Sequence, residues 1–554
     1  MKKGSLFQQR NAFASIHSLE SPIPAPQTHS AFHRRVETAQ HFIGELVYAA
    51  EKSHMKAKLA PNISTVTSFL LFVWTVAIPA SADIITVTNT NDNGPGSLRQ
   101  ALADANDGDT IEFAVTGTIG LTSGELVVDK SLTISGPGAD SLAVNGSAKS
   151  RVFYVGPDAI LTISQLSITN GNATTDFGGG IYNDQSTLTL NNCELTGNSA
   201  DFGGGIYTAG SLSGGATVIL NNSTCNYNAA IEGAAIFNAG DQSGAEVTLN
   251  NCSFSGNSAS NPGGGIYNFG EMGDATVTLN NSTFSGNSAG NNGNGDGGGI
   301  YNDGTAGNAT LMISDCTFSG NSTSGGGGGG IASFGGGFGS ATLTVSNSTF
   351  SGNSSIVVGG AIYNDGENGS ATLTIGNSTF AGNVADAAGD SIYDEGENGS
   401  APVSFTNTIF KASNSGNFFN NGGTITSLGY NLSNDDGSGF LTGPGDQINT
   451  DPILGPLQDN GGPTLTHALS KGSPAIDAGD PGFTPPPFFD QRGAGFERVV
   501  NGFIDIGSFE VQTGATPTPT PTATAAATAT PTPTPCEGRC SPTPRPRPTP
   551  APRP

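Results

Sequence analysis

The sequence predicts an all-β protein whose main part is a parallel β-helix, with one coil for each repeat. A motif centred on Ile recurs eight times at spacings of 25 to 34 residues. Each repeat also holds a stretch such as ATVTL at 275–279, and this alternation of apolar and β-branched residues with period two is typical of a strand. The 82 glycines and the 12% of charged residues are unlike the composition of a compact, helix-rich enzyme.

Each repeat is predicted to contain three short strands separated by turns. The repeated Ile lies at Ile181, Ile206, Ile236, Ile266, Ile300, Ile331, Ile362 and Ile392. The second anchor lies at Leu195, Cys225, Phe254, Phe284, Phe318, Phe350, Phe380 and Phe410. One such unit cannot bury its own apolar side chains, so we expect the units to stack with Ile on Ile and Phe on Phe.

Recurrent polar residues in the turns are predicted to belong to the scaffold. An asparagine follows the Phe motif at Asn257, Asn287, Asn321, Asn353 and Asn383. Stacked amides can bond to one another along the coils, as they do in other stacked strands. Another position accepts either Cys or Ser, with Cys193, Cys252 and Cys316 in three of the copies. Such tolerance indicates a small buried site rather than a redox or metal role.

The segment 83–174 is predicted to form an N-terminal cap and the first coils, ahead of the repeats at 175–410. The sequence SLRQALADAN, which starts at Ser97, has the pattern of a short amphipathic helix. Its Ser97 and Gln100 are spaced as a capping box. A stack of strands has open ends that must be covered, so we expect this helix to cover the first coil.

The repeats resemble a known family. The paired GGxI and FxxN motifs, as in Gly298 to Ile300 with Phe318 to Asn321, resemble the repeats of chlamydial polymorphic outer membrane proteins and of many bacterial right-handed β-helix proteins. The resemblance covers about residues 175–410. It implies a right-handed, pectate-lyase-like solenoid and an exposed or released location.

The segment 411–512 carries a second resemblance. GSPAIDAGD at 472–480, DQRG at 490–493 and IDIGSFE at 504–510 resemble the choice-of-anchor Q domain, which ends many surface β-helix proteins. The resemblance implies a β-rich terminal domain and brings no known chemistry with it.

Both ends of the chain indicate export. An apolar run at 66–79 precedes Ala80-Ser81-Ala82, the small-x-small pattern of a signal peptidase site. We therefore interpret 1–82 as a signal peptide region with its true start at Met55 and cleavage after Ala82. The alternative is a membrane anchor, but the run is shorter than the roughly 20 apolar residues that a bilayer needs.

The Pro/Thr-rich tail at 513–554 is predicted to be a disordered spacer. No other segment of the chain is long and apolar enough to predict a transmembrane helix. The predicted location is therefore secreted or extracellular, with attachment at the bacterial outer surface as the alternative.

Charge limits the partners and the chemistry. The 45 acidic and 20 basic residues give a net charge of −25, which argues against nucleic-acid binding. Residues 152–410 contain no Lys, Arg or His. The polysaccharide lyases of this superfold use a basic residue to abstract a proton, so the repeats lack the groups for that reaction.

Acidic side chains of two near-identical turns form one candidate site. Asp365, Glu367, Glu395 and Glu397 occupy matching positions in NDGENGS and DEGENGS and offer the oxygen ligands that calcium prefers. The other readings are a solvated acidic turn, or hydrolytic carboxylates formed by Asp365 and Glu395 with the neighbouring Asp394. We predict no required cofactor and admit calcium as an optional one.

An aromatic row is the second candidate. If each repeated Ile points inward, the next residue points outward, which aligns Tyr182, Tyr207, Tyr267, Tyr301, Tyr363 and Tyr393 with Phe237 and interrupts the row at Ala332. Such a row can stack on sugar rings. The alternative is a ladder that is covered by loops or only stabilises neighbouring coils.

These observations predict a monomeric, non-catalytic β-helix protein with an adhesive or structural role at a cell surface. No catalytic residue is assigned. The expected partner is a host surface, another cell surface or a glycan. The alternative is an extracellular polysaccharide-active enzyme, most simply a hydrolase, or a carbohydrate-binding β-helix.

Overall fold

The computed structural model describes residues 82–210, 214–290 and 295–512. All of them belong to one compact unit that begins at Ala80. The predicted signal peptide region up to residue 81, the start at Met55 and the tail at 513–554 lie outside the described residues.

The chain forms a right-handed parallel β-helix, as predicted. Four parallel sheets run along it, and each complete coil contributes one strand to each of them, in the order C, A, B and D. Sheet A has 13 strands: Ile84–Val87, Thr110–Phe113, Leu132–Ser135, Ile160–Ser164, Thr187–Asn191, Ala216–Asn221, Ala245–Asn250, Asp274–Asn280, Asn308–Ser314, Ser340–Ser346, Ser370–Gly376, Pro402–Thr406 and Thr424–Gly429.

Sheets B, C and D complete the coil. Sheet B has 12 strands: Gly117–Gly120, Leu142–Asn145, Ser167–Thr169, Glu194–Thr196, Thr224–Asn226, Ser253–Ser255, Thr283–Ser285, Thr317–Ser319, Thr349–Ser351, Thr379–Ala381, Ile409–Lys411 and Leu432–Ser433. Sheet C has 11 strands: Leu126–Val128, Phe153–Val155, Ile181–Asp184, Ile206–Ala209, Ile236–Ala239, Ile266–Phe269, Ile300–Asp303, Ile331–Phe334, Ile362–Asp365, Ile392–Glu395 and Phe418–Asn421. Sheet D has eight strands: Asn172–Phe177, Ser199–Phe202, Ala229–Glu232, Ser258–Ala259, Ser288–Ala289, Ser322–Thr323, Ser354–Ser355 and Val384–Ala385.

Sheet D corrects the prediction of three strands per repeat. Five of its strands have only two residues, such as Ser258–Ala259. A segment this short has no alternation that a sequence pattern could reveal. It becomes a strand only because the coil above and the coil below hold it in register.

The interior is built from stacked identical side chains, as predicted. The rings of Phe284, Phe318 and Phe350 lie parallel within 7°, with centroids 4.8 and 4.9 Å apart. The repeated Ile residues are fully buried in the same core. This stacking removes the apolar side chains of every coil from water, which is the main source of stability in a solenoid.

A ladder of buried asparagine side chains follows the Phe stack, also as predicted. The Nδ2 of Asn287 donates to Oδ1 of Asn321 at 2.8 Å, and Asn321 repeats this bond to Asn353 at 2.9 Å. The ladder extends further toward the N-terminus than the sequence motif, back to Asn198 and Asn228. Each amide also donates to a backbone carbonyl, so the buried polar groups are satisfied.

The glycine three residues before each repeated Ile is required by its backbone conformation and by close backbone approach. In the coil that begins at Gly297, this residue has a φ of +65°, and a β-carbon on it would lie 2.2 Å from the carbonyl oxygen of Ile300. Only glycine combines the left-handed backbone with this contact.

The N-terminal helix, Leu98–Asp104, caps the β-helix as predicted. Ser97 is its N-cap and accepts a hydrogen bond from the backbone N–H of Gln100. Its apolar face, formed by Leu98, Ala101 and Leu102, is buried in the core. The helix therefore covers apolar side chains that the first coil would otherwise expose.

The C-terminal end differs from the predicted boundary at 411. Strands Phe418–Asn421, Thr424–Gly429 and Leu432–Ser433 still belong to the β-helix sheets. A 3-10 helix, Gly437–Gly439, follows them, and Leu441 completes the apolar core.

The residues after this coil run back along the outside of sheet B. They include an antiparallel hairpin, Leu454–Gln458 with Thr466–Leu469. Thr349 Oγ1 donates to Gln491 Oε1 at 2.6 Å, and Ser508 N donates to Thr379 Oγ1 at 3.0 Å. This C-terminal segment therefore covers the flank of the last coils.

A charged cluster stabilises the C-terminal segment internally. Arg492 pairs with Asp490 and lies between the rings of Phe496 and Phe509, 3.9 and 3.8 Å from their centroids. Asp490 and Arg492 come from the DQRG motif and Phe509 from the IDIGSFE motif, whereas Phe496 lies between the two motifs. The motifs thus have a structural role here, while the resemblance to the choice-of-anchor Q domain stays a prediction.

Among the described residues, the helices are too short or too polar to cross a bilayer.

Candidate functional site

The outer face of sheet C carries both predicted candidates. Two columns of side chains point outward from this sheet, because residues two apart in a strand share a face. Strand pairing aligns the first column as Tyr154, Tyr182, Tyr207, Phe237, Tyr267, Tyr301, Ala332, Tyr363, Tyr393 and Phe419. It aligns the second as Asp184, Ala209, Ala239, Phe269, Asp303, Phe334, Asp365, Glu395 and Asn421.

The middle of the aromatic column is buried, which corrects the prediction of an exposed row. Tyr207, Tyr267 and Tyr301 are only 8, 7 and 6% exposed. They form a second apolar cluster outside the β-helix core, against which Phe202, from the end of a sheet D strand, also packs. These rings have no free face for a sugar, and they stabilise neighbouring coils instead.

The C-terminal end of the column remains accessible. Tyr363 and Tyr393 are half-buried, and Phe419 is 44% exposed. Their rings are continuous, because Tyr393 lies 5.6 Å from Tyr363 and stacks on Phe419 at 4.9 Å. Tyr182 is half-buried at the other end. Ligand binding by Tyr182, Tyr363 and Tyr393 stays a prediction.

Carboxylates flank this accessible end. Asp365 and Glu395 are paired on adjacent strands, as their matching repeat positions predict. The hydroxyl of Tyr363 donates to Asp365 Oδ2 at 2.6 Å, and the backbone N–H of Glu367 donates to Asp365 Oδ1 at 2.9 Å. Glu395 accepts from the amide of Asn421. The rings of Tyr363, Tyr393 and Phe419 and the carboxylates of Asp365, Glu367, Glu395 and Glu397 are together called the aromatic and acidic patch.

Burial alters the acidity of the two paired carboxylates. It raises the pKa of Asp365 to about 6, against the bond from Tyr363, which lowers it. Burial also raises the pKa of Glu395. Two carboxylates in register repel each other, so protonation of one is favoured.

The described residues contain no group of three or more His, Cys, Asp or Glu side chains arranged to hold a metal ion. Glu397 is exposed and Glu367 half-buried, while Asp365 is buried. Calcium binding by Asp365, Glu367, Glu395 and Glu397 stays an untested prediction.

Asp394, the third carboxylate considered from the sequence, does not join the patch. It lies on the inward side of the strand that carries Glu395, is fully buried, and accepts a hydrogen bond from Asn364 Nδ2 at 2.9 Å. Its Oδ2 has no hydrogen-bond partner. Burial raises its pKa to about 7. The position holds Asn in neighbouring coils, and that alignment is the signal that identifies it.

A carboxylate that the sequence patterns did not single out, Asp303, lies near the middle of the column. The hydroxyl of Tyr267 donates to Asp303 Oδ2 at 2.8 Å. Burial raises the pKa of Glu232 to about 7, and the charge of Asp303 contributes. Both Tyr267 and Asp303 are buried, so a polymer cannot reach this pair as it stands.

A surface groove of about 440 Å³ lies between three successive turns around Ser243, Gly273 and Gly307. Asp274 is its single acidic lining residue, and none of the lining residues is basic. A glycosidase needs two carboxyl groups placed on either side of the scissile bond, and the groove does not provide them.

Two segments of the chain, 251–268 and 347–365, match the Chlamydia polymorphic membrane protein repeat. Each segment contains both the Phe motif and the Ile motif that build the coil. No curated protein matches the chain as a relative.

Several solved structures are similar to this one at low sequence identity. Pectate lyase Pel9A is 15% identical, with a TM-score of 0.42, and the alignment covers 78% of this chain and 97% of that one. The catalytic unit of an α-1,3-glucanase from Streptomyces thermodiastaticus is 15% identical, with a TM-score of 0.43 and coverage of 66% and 65%. A mannuronic acid-specific lyase from human gut microbiota is 12% identical, with a TM-score of 0.29 and coverage of 63% and 86%.

These likenesses carry no argument about activity. What the chain shares in sequence with a known family is its repeat: it is a right-handed parallel β-helix protein with two segments similar to the Chlamydia polymorphic membrane protein repeat.

Proposed function

We propose that this protein is a non-catalytic β-helix exposed at a cell surface, where it acts in adhesion or as a structural element. The observation that carries the proposal is that the repeated residues serve the packing of the coils. The stacked Phe, Ile and Asn side chains hold coil on coil, and 152–410 supplies no Lys, Arg or His for catalysis. The matched repeat, known from membrane proteins by its name, supports a surface location.

The accessible part of the aromatic and acidic patch is the proposed contact surface. Solenoids commonly bind partners along such extended faces. In this proposal Tyr363 and Tyr393 contact the ligand, and a calcium ion at Asp365 and Glu395 is an optional addition.

The test combines an adhesion assay with a depolymerisation assay. The full chain is coated on beads and exposed to cells and to a glycan array, with calcium or with chelator. In parallel, the same protein is incubated with neutral and acidic polysaccharides, and new reducing ends are measured. Binding without new reducing ends supports the proposal.

New reducing ends would instead establish the second candidate, a polysaccharide hydrolase. The variants Asp365→Asn and Glu395→Gln then decide where the reaction takes place. The exposed Glu246 on sheet A provides the control variant Glu246→Gln, which leaves the patch unchanged.

A further inference from the structure

The aromatic and acidic patch has the chemistry of a site for an organic cation. Three rings in contact, Tyr363, Tyr393 and Phe419, present aromatic surface. Among the described residues, none of the neighbouring acidic side chains of Asp365, Glu367, Glu395 and Glu397 has an ion-pair partner. Aromatic faces attract guanidinium groups, and carboxylates bind them with charge-assisted hydrogen bonds. The patch is therefore complementary to an arginine-containing ligand.

The chain itself carries a segment of complementary charge. Residues 541–554 read SPTPRPRPTPAPRP and contain Arg545, Arg547 and Arg553 with no acidic residue. This is the opposite of residues 152–410, which have no basic residue at all. Proline-rich segments dock on aromatic surfaces in other proteins, where their restricted backbone reduces the entropy lost on binding.

The chain between Gln512 and the Arg/Pro-rich segment is long enough for the segment to reach the patch. The roughly 33 residues from Gln512 to Arg545 span roughly 100 Å when fully extended. One coil of about 30 residues has a perimeter of comparable length, so the segment has the length to reach the opposite side of the β-helix. In an extended chain Arg545 and Arg547 would lie about 6 Å apart, close to the spacing of about 4.8 Å between coils.

We propose that the Arg/Pro-rich segment 541–554 docks on the patch formed by Tyr363, Tyr393, Phe419 and the four carboxylates of the same chain. Arg545 and Arg547 pair with carboxylates of successive coils, and the proline rings contact the aromatic column. The segment then occupies the surface that an external ligand would use. The inference rests on the proposed function only in treating the patch as a binding surface.

A titration with the free peptide tests the proposal. A labelled peptide of sequence 541–554 is titrated into the full chain, followed by fluorescence anisotropy at low salt. One protein is the wild type, and the other has Arg539, Arg545, Arg547 and Arg553 replaced by Gln. The substituted protein is expected to bind the peptide about tenfold more tightly, because the wild-type segment competes intramolecularly. Equal affinity for the two proteins would overturn the proposal.

Patch variants locate the site. Glu367→Gln, Glu395→Gln and Glu397→Gln together, in the chain with the neutral tail, should weaken peptide binding about tenfold or more. The matched control removes three carboxylates from sheets A and B with Glu112→Gln, Glu194→Gln and Glu246→Gln, and it should leave the affinity within about twofold, since screened charges at a distance contribute little. An equal loss in both would overturn the site.

Light scattering separates the same chain from a second copy. The proposal expects a wild-type protein that stays monomeric as its concentration rises. Association that increases with concentration, and disappears in the neutral-tail variant, would show docking between copies and overturn the intramolecular proposal. The adhesion assay tests the proposed function separately. A failure of tail docking therefore does not contradict adhesion, and a failure of adhesion does not contradict tail docking.

Discussion

At the scale of single residues, Asp394 is the most informative departure from the repeat. In the preceding coil Asn364 at this position donates to the backbone carbonyl of Ala371 at 3.1 Å, and in the following coil Asn420 donates to that of Gly423 at 3.0 Å. Asp394 has no amide nitrogen, and its Oδ2 is unpartnered. A proton on Oδ2 would restore a donor at this position. The raised pKa of about 7 is consistent with a carboxyl group that is neutral below that pH.

Asp394 therefore makes the stability of the protein depend on pH. A carboxyl group whose pKa is raised by folding contributes stability that is fully present below its unfolded pKa of 3.8 and is lost as the pH rises toward about 7. We expect Asp394→Asn to stabilise the protein by about 1 to 3 kcal/mol above pH 7, with the gain shrinking as the pH falls to 4. Urea unfolding of both proteins at several pH values measures this.

The exposed Asp386 provides a control, since Asp386→Asn removes a carboxylate without changing the hydrogen bond between Asn364 and Asp394. A gain from Asp394→Asn that does not change with pH would contradict the assignment of the proton.

Two buried cysteines are predicted to respond differently to the same substitution. Cys316 lies at the position that accepts Cys or Ser; it accepts from the N–H of Ser282 at 3.3 Å and donates to the carbonyl of Ser314 at 3.1 Å. Cys225 lies at the Phe position inside the apolar core. Cys316→Ser should change the free energy of unfolding by less than about 0.5 kcal/mol. Cys225→Ser should cost about 1 to 3 kcal/mol, because it buries a hydroxyl without a partner.

Chemical denaturation of the two variants measures the difference. A serine at Cys316 that destabilises as much as a serine at Cys225 would show that hydrogen bonding does not distinguish the two positions.

At the scale of structural elements, the stacked Phe rings pack the inner face of sheet B from coil to coil. Phe350 is fully buried and lies 4.8 Å from the rings of both Phe318 and Phe380. Phe350→Ala should cost about 3 to 5 kcal/mol of unfolding free energy, because it leaves a cavity bounded by two rings. Thermal and urea unfolding of the purified protein give the value.

Phe338 is the matched control. It is 98% exposed at the tip of a turn, so Phe338→Ala should change stability by no more than about 0.5 kcal/mol. A small effect at Phe350 would mean that neighbouring coils collapse into the space.

At the scale of the whole molecule, the C-terminal segment is held by the flank of the β-helix. Thr349 Oγ1 lies 2.6 Å from Gln491 Oε1 and 2.9 Å from Ser508 Oγ, all buried. Thr349→Val should therefore remove the donor to Gln491 Oε1 and one of the two partners of Ser508 Oγ, which keeps Thr379 Oγ1, and weaken docking by about 1 to 3 kcal/mol. Limited proteolysis of the C-terminal segment, together with the unfolding midpoint, measures the loss.

Thr283 occupies the same column of sheet B but is only half-buried. Thr283→Val should leave both measurements unchanged. Proteolysis that is equally fast in the two variants would show that these hydrogen bonds do not hold the segment.

The repeat by itself determined the coil, the pairing of its strands and the stacks of Ile, Phe and Asn, because identical side chains in successive units have only one register that buries them all. The helix at Leu98–Asp104 was also predictable, since its cap and apolar face are local signals.

Only the tertiary structure decided which outward-facing residues reach solvent. The rings of Tyr207, Tyr267 and Tyr301 have the same sequence context as Tyr363 and Tyr393, yet they are covered by aromatic side chains such as Phe202. The two-residue strands of sheet D and the docking of the C-terminal segment on sheet B likewise depend on contacts between residues far apart in the chain. Burial of this kind is set by what packs against a residue, and a local pattern does not contain that information.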